Sequence, residues 1–227
     1  MYLIFTFLMI FITSTWIIFQ ERRKKVLEKS VAIYALRKIS WELIAAIFMF
    51  LASLVLCYFF IESLIKAYYV LSNSHLIDSA LDLFSIETLS RLQTYTLENS
   101  LLSEWAEIIK FKGMGLKYLV SAIGIGGSGI ITIHHELQKN AICVDGILLK
   151  MQKTSWDKIT YYQWGELNQG RTLDGYRSYY TLRLNVQVIK IEAWLTKNDT
   201  TEVELLIVPD DKGAADKILA KALAVKQ

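Results

Sequence analysis

The chain has 227 residues, 53% of them hydrophobic, and a formal net charge of +3. Average soluble domains run about 45–50% apolar with glycine counted, so the composition leans away from an ordinary soluble domain. A net charge of +3 argues against a nucleic-acid partner, and the bases that are concentrated lie beside the first apolar run, where membrane topology explains them.

The first element is a run without acid or base from Met1 to Gln20. About 20 apolar residues suffice to cross a hydrocarbon core, and lipid forces a helix on them because no water satisfies bare peptide groups. A cleaved signal peptide would want a basic start and small residues at its end, but Met1-Tyr2-Leu3-Ile4-Phe5 offers no base and the run ends Trp16-Ile17-Ile18-Phe19. Glu21 to Ser40 then carries Arg22, Arg23, Lys24, Lys25, Lys29, Arg37 and Lys38 against Glu21 and Glu28. Short loops rich in Lys and Arg stay in the cytoplasm, so the N-terminus is expected outside. A second charge-free run, Leu43 to Ile61, holds Cys57 and runs back out. Glu62 and Lys66, four apart beyond it, are expected to form a solvated pair on one helix face; a path for an ion or solute is the sharper alternative.

Residues 72–112 are expected outside. Ile77, Leu81 and Phe84, then Leu101, Leu102, Trp105, Ile108 and Ile109, recur at helical spacing. They predict amphipathic helices that pack against the spans. A third charge-free run, Tyr118 to Ile133, returns inward. The spans are thus placed at about 1–19, 43–61 and 118–133. The third contains Gly124-Ile125-Gly126-Gly127-Ser128-Gly129. This fits the G-x-G-x-x-G loop of dinucleotide folds, with Asp145 about 20 residues on to grip a ribose. The chain beyond offers no further strand–helix units, so close helix packing through Gly124, Gly127 and Ser128 is the preferred reading. The dinucleotide-binding enzyme ranks second. His134 and His135 are adjacent, whereas helical metal pairs prefer spacings of three or four, and no metal site is expected. Two lone cysteines, Cys57 and Cys143, give no disulfide framework.

From Asn140 the period changes to two. Ala141 to Val144, the turn Asp145-Gly146 and Ile147 to Met151 predict a hairpin with a type I′ turn. Trp156 to Trp164 predicts a strand with Trp156, Thr160, Tyr162 and Trp164 on one face and Ile159 and Tyr161 on the other. Tyr176 to Val186 alternates, with Tyr176, Tyr180, Leu182, Leu184 and Val186 on one side and Arg177, Tyr179, Thr181, Arg183 and Asn185 on the other. Ile189, Ile191, Ala193 and Leu195 predict another strand, and Val203, Leu205 and Ile207 a last one after the polar turn Lys197 to Thr200. Pro209 ends it, Asp210 or Asp211 is expected to cap a final helix, and Ala215, Ile218, Leu219 and Ala222 form its apolar stripe. Lys226 suits the helix dipole.

The run Val144-Asp145-Gly146-Ile147, then Trp156-x-x-Ile159 with Tyr161, Tyr162 and Trp164, then strands and a closing helix, resembles uncharacterised bacterial membrane proteins with a cytoplasmic pleckstrin-homology-like (PH-like) domain. The resemblance implies an α+β membrane protein. Residues 1–139 would be the membrane domain, and residues 140–227 an antiparallel barrel or sandwich capped by a C-terminal helix. It transfers no catalytic residue. Lys150, Lys153 and Lys158 lie near the first hairpin, where phosphoinositide-binding domains gather bases, but lysines on a solvated face are commonplace. Trp164, Tyr176, Tyr179 and Tyr180 offer a peptide-docking face, against the plainer reading that these rings fill the core. The expected function is a non-enzymatic scaffold, sensor or assembly subunit of the inner membrane, without cofactor. Its expected partners are the bilayer and another protein or a second copy. A transporter subunit is a further alternative.

Overall fold

The computed structural model describes residues 2–150, 152–187 and 200–224. In order these form α1 (Tyr2–Leu27), β1 (Val31–Tyr34), α2 (Trp41–Asn73), a 3-10 turn (Ala80–Phe84), α3 (Ile86–Glu98), α4 (Leu102–Lys110), a π-turn (Phe111–Gly115) and α5 (Leu116–Glu136). Then follow β2 (Ala141–Cys143), β3 (Gly146–Leu149), β4 (Gln152–Ser155), β5 (Ile159–Thr172), β6 (Gly175–Gln187), β7 (Thr200–Ile207) and α6 (Pro209–Ala224). The expected strand at Ile189 to Leu195, most of the polar turn before Thr200, and Lys226 lie outside the described residues.

The chain divides into two compact units, residues 1–17 with 44–133 and residues 18–43 with 134–227. The sequence places a single boundary near 139. The structure instead draws the basic segment 18–43 into the C-terminal unit, because β1 pairs antiparallel with β2.

In the first unit, two helices among the described residues are long and apolar enough to cross a membrane: Trp41–Asn73, and Leu102–Glu136, which joins α4, the π-turn and α5. At 1.5 Å per residue each extends about 50 Å, well beyond a ~30 Å hydrocarbon core. Three crossings were expected and two carry that signature; residues 2–19 are helical as part of α1. The segment between α2 and α5 is helical, as the periodicity predicted. Its core joins Phe60, Ala67 and Leu71 of α2 to Ile77, Leu83, Leu89, Leu92, Ile108, Phe111 and Leu116. Leu81, expected inside, is 69% exposed, and Leu83 is buried in its place. The 3-10 turn rather than an α-helix sets that face. Ser79 caps it, accepting from the Leu81 amide while Asp82 accepts from the Ser79 amide.

The second unit holds two antiparallel sheets, ordered β1-β2-β3-β4 and β5-β6-β7. Its core gathers Ile33, Ile142, Ile147, Ile159, Leu182, Leu184, Val186, Leu205 and Ile207 with Ala215 and Leu219 of α6. The apolar stripe of α6 therefore serves as the sequence predicted. Pro209 does more than end β7: it is the first residue of α6, where its missing N–H costs nothing. Asp210 and Asp211 lie in the first turn, where their charge suits the dipole, rather than at the cap.

Two local expectations are corrected. Cys143 pairs with Gly146, so the hairpin turn is Val144-Asp145, and neither residue has the positive φ that a type I′ turn demands. Gly146 is needed for a different reason: a Cβ there would lie 2.2 Å from the Thr154 carbonyl oxygen. Trp156 sits in a 3-10 turn before β5, and the β5–β6 register shifts between Ile159 and Tyr161. The extra residue of that bulge turns Ile159 to the same core as Tyr162 and Trp164.

Candidate functional site

Segment 31–40 holds the second unit together. Val31 to Tyr34 forms the edge of the first sheet, and Leu36 bridges Leu206 of β7, its amide donating to the Leu206 carbonyl at 2.7 Å. One strand-like segment thus links both sheets. Arg37 then clamps the tip of the β5–β6 hairpin. Its amide donates to Asp174 Oδ2 at 2.8 Å, its Nη2 to Oδ1 at 2.6 Å, and its carbonyl accepts from the Leu173 amide at 2.9 Å. The guanidinium beside Asp174 holds that carboxyl below the usual carboxylate range, against the opposing effect of burial. Lys38 reaches Glu204, and Ser40 donates to Glu136 at 2.7 Å.

Glu136 is nearly buried and also accepts from Lys150. A groove of about 810 Å³ adjoins this cluster, lined by Lys38, Ser40, Trp41, Glu42, Lys150, Arg183, Glu202 and Glu204. Its cations are already paired, Arg183 with Glu202 and Glu204, Lys38 with Glu204 and Lys150 with Glu136. Trp41 stands 80% exposed at its edge. Such a surface can dock a polar partner beside an aromatic anchor.

The residues singled out in the sequence scatter. Lys150 is tied to Glu136, Lys153 to Asp145, and Lys158 is exposed in the turn before β5. The first two ammonium groups are thus occupied by carboxylates. Trp164 and Tyr179 do not share a face. Trp164 pairs across from Leu182 and packs on the core, its Nε1 donating to Asp216 and its ring edge-on to Tyr180. Lys212 of α6 lies over both rings, 4.1 Å from the Tyr180 centroid. Tyr179, one residue from Tyr180, points the other way and covers Gly170. The docking face read from four aromatics is therefore divided between core and surface.

The glycine run lies mid-helix in α5, so no strand–loop–helix geometry exists there to cradle pyrophosphate. Its packing role falls on Gly126, which the small-residue spacing from Ala122 also marks, and on Gly129, rather than on Gly124, Gly127 and Ser128. A Cβ on Gly126 would lie 2.8 Å from Ser53 Oγ, and one on Gly129 3.1 Å from the Ala46 carbonyl oxygen and 3.2 Å from the Phe50 nitrogen. Among the described residues, a Cβ on Gly124 would meet nothing within 4 Å and one on Gly127 only Thr13, at 3.8 Å. The stripe on α2 is thus met by Gly126 and Gly129, and Ser128 lies off it. Glu62 and Lys66 form the expected exposed pair, at 2.5 Å. His134 lies 3.2 Å from Glu21 and 3.3 Å from Gln138. Among the described residues no cluster of His, Cys, Asp and Glu is arranged to hold a metal ion.

Segment 31–40 was missed by sequence reading, which took it for a basic loop. The only local signal is Val31-Ala32-Ile33-Tyr34, too short to identify alone. No family model matches the chain, and no curated protein or solved structure matches it.

Proposed function

We propose that the chain is a three-span membrane protein that presents its second unit, a PH-like sheet domain, at the cytoplasmic face. There it acts as a non-enzymatic scaffold, sensor or assembly subunit. The observation that carries this reading is the apolar surface left facing outward on α2. Phe48 is 67% exposed, Tyr58 63% and Val55 53%. A core helix of a soluble protein would bury such side chains, whereas lipid solvates them. Strand pairing supports the topology. Val31–Tyr34 and Ala141–Cys143 pair directly, so they share one side of the bilayer. The chain between them must then cross an even number of times, which suits two spans, Trp41–Asn73 and Leu102–Glu136. The basic residues of 21–40 assign that side to the cytoplasm. The apolar part of α1, with Phe11 68% exposed, supplies the third span and leaves the N-terminus outside. Two sheets closed by α6 support the PH-like plan.

Protease added to sealed right-side-out vesicles tests this. The second unit should resist cleavage until the vesicles are opened. Digestion of residues 141–187 in intact vesicles would refute the topology.

A further inference from the structure

A second pocket in this unit, about 330 Å³, is built from three stretches far apart in sequence. Lys24 and Glu28 come from the end of α1 and the turn after it, Tyr34 and Arg37 from β1 and its extension, and Lys139 from the chain leaving α5. Leu137 and Leu148 give it apolar walls, Leu148 being buried. Its cations are held differently from those of the first hairpin. The Lys139 ammonium lies 5.3 Å above the Tyr34 ring and, among the described residues, forms no ion pair, although its charge reaches the Asp174 carboxylate that Arg37 holds. Among the described residues, Lys24 has only Glu21 as an ion-pair partner, at 4.0 Å, the outer limit of such a pair. Asp174 engages Nε and Nη2 of Arg37, which leaves Nη1 as a donor. Arg22, Arg23, Lys25 and Lys29 stand exposed around the same helix end, with Glu28 the one acid lining the pocket.

We propose that this pocket binds the phosphate of an anionic phospholipid headgroup, with Lys24 and Lys139 as its principal contacts. The proposal rests on the membrane reading above. Lys24 lies four residues past the apolar run ending at Gln20, about 6 Å along a helix. That distance falls within the ~5–8 Å headgroup layer on each side of the hydrocarbon core. Basic pockets between helix ends at the cytoplasmic surface are suited to such headgroups, and clustered Lys and Arg beside a span add attraction to an anionic leaflet. The apolar walls suit the glycerol and first methylenes better than a free anion, which would leave them wet.

The test uses the full chain in a neutral detergent. Binding of short-chain phosphatidylglycerol, phosphatidylcholine and glycerol phosphate is compared for the wild type, Lys24→Gln/Lys139→Gln and Lys153→Gln/Lys158→Gln. Phosphatidylglycerol should bind at least tenfold more tightly than phosphatidylcholine or glycerol phosphate. Lys24→Gln/Lys139→Gln should lose about 25-fold, at roughly fivefold per cation, while Lys153→Gln/Lys158→Gln stays near wild type. Should Lys24→Gln/Lys139→Gln misfold, Lys24→Arg/Lys139→Arg keeps both charges and should retain the preference; its loss would overturn the proposal. Undiminished binding by a folded Lys24→Gln/Lys139→Gln variant would overturn it too. Glycerol phosphate binding as tightly as the lipid would make the ligand a free phosphate compound and refute the lipid source. Alkaline extraction of membranes separates the two layers of argument. A chain released as soluble protein refutes the membrane reading, whereas a retained chain with no headgroup preference refutes the pocket alone.

Discussion

The Arg37–Asp174 clamp gives the sharpest test of how the second unit is held together. Beyond Tyr180, β6 loses its pairing with β7, so residues 167–180 continue as a two-stranded ribbon. Such ribbons are marginal alone, and the tip of this one is fastened by Arg37. Asp174 accepts from both the amide and the guanidinium, and the two side chains are 22% and 26% exposed. Hydrogen bonds to charged groups contribute about 1.5–3 kcal/mol when buried, and exposed pairs about 0–1. An intermediate loss of about 2 kcal/mol is expected for Asp174→Ala. Hydrogen exchange on the full chain should detect it locally, because a 2 kcal/mol change in a local opening speeds exchange about 30-fold. The Leu173 amide and its neighbours in the ribbon should accelerate by that order, while Leu182 and Leu184 in the core stay protected. The pH dependence has a definite sign. Asp174 is depressed in the folded chain by Arg37, so the contribution is complete above the ordinary Asp value of about 3.9 and falls as pH drops through the lower folded value. Unchanged exchange at Leu173, or an equal rise across the whole unit, would refute the clamp.

Other perturbations separate the remaining arguments. Gly129→Val should destabilise the helical unit by about 1–3 kcal/mol, by forcing α2 and α5 apart. Gly124→Val, in open space, should cost far less; equal losses in thermal stability in detergent would contradict the packing stripe. Gly146→Ala should weaken β3–β4 pairing, because its Cβ has no room beside Thr154, and rapid exchange of the β4 amides would report it. Cys143 is wholly buried, and burial pushes its thiol above the usual range despite Ser30 and Lys153 nearby. It should resist alkylation at pH 8 until the chain is denatured, and prompt labelling of the native protein would show the site is open. Trp164→Ala should release Asp216 and Lys212 from their ring contacts and cost about 3–5 kcal/mol; a chemical denaturation curve matching wild type would remove Trp164 from the core.

Much of the plan was legible because its causes are local. Apolar length announced spans at 43–61 and 118–133, which lie within the longer helices Trp41–Asn73 and Leu102–Glu136, and period-two alternation announced β6, since burial on one face repeats with the backbone. Leu182, Leu184 and Val186 were named as one inward row and lie together in the core. The glycines of α5 were recognised as packing residues, but which of them touch α2 depends on helix rotation. That rotation is set by the neighbour and not by the spacing, and it selects Gly126 and Gly129. The aromatic face dissolved for a similar reason, as Tyr179 and Tyr180 alternate across one strand.

What the amino-acid order determined by itself is where oil-compatible helices run, where the period turns from helical to extended, and which stripe closes the sheets. Tertiary structure alone decided the fate of segment 31–40. Its partners, Ala141 to Cys143, Leu206 and Asp174, lie more than a hundred residues away, and neither composition nor period encodes such pairing. A four-residue strand gains its identity only from the backbone groups that meet it, so a stretch that reads as a charged loop becomes the edge joining two sheets.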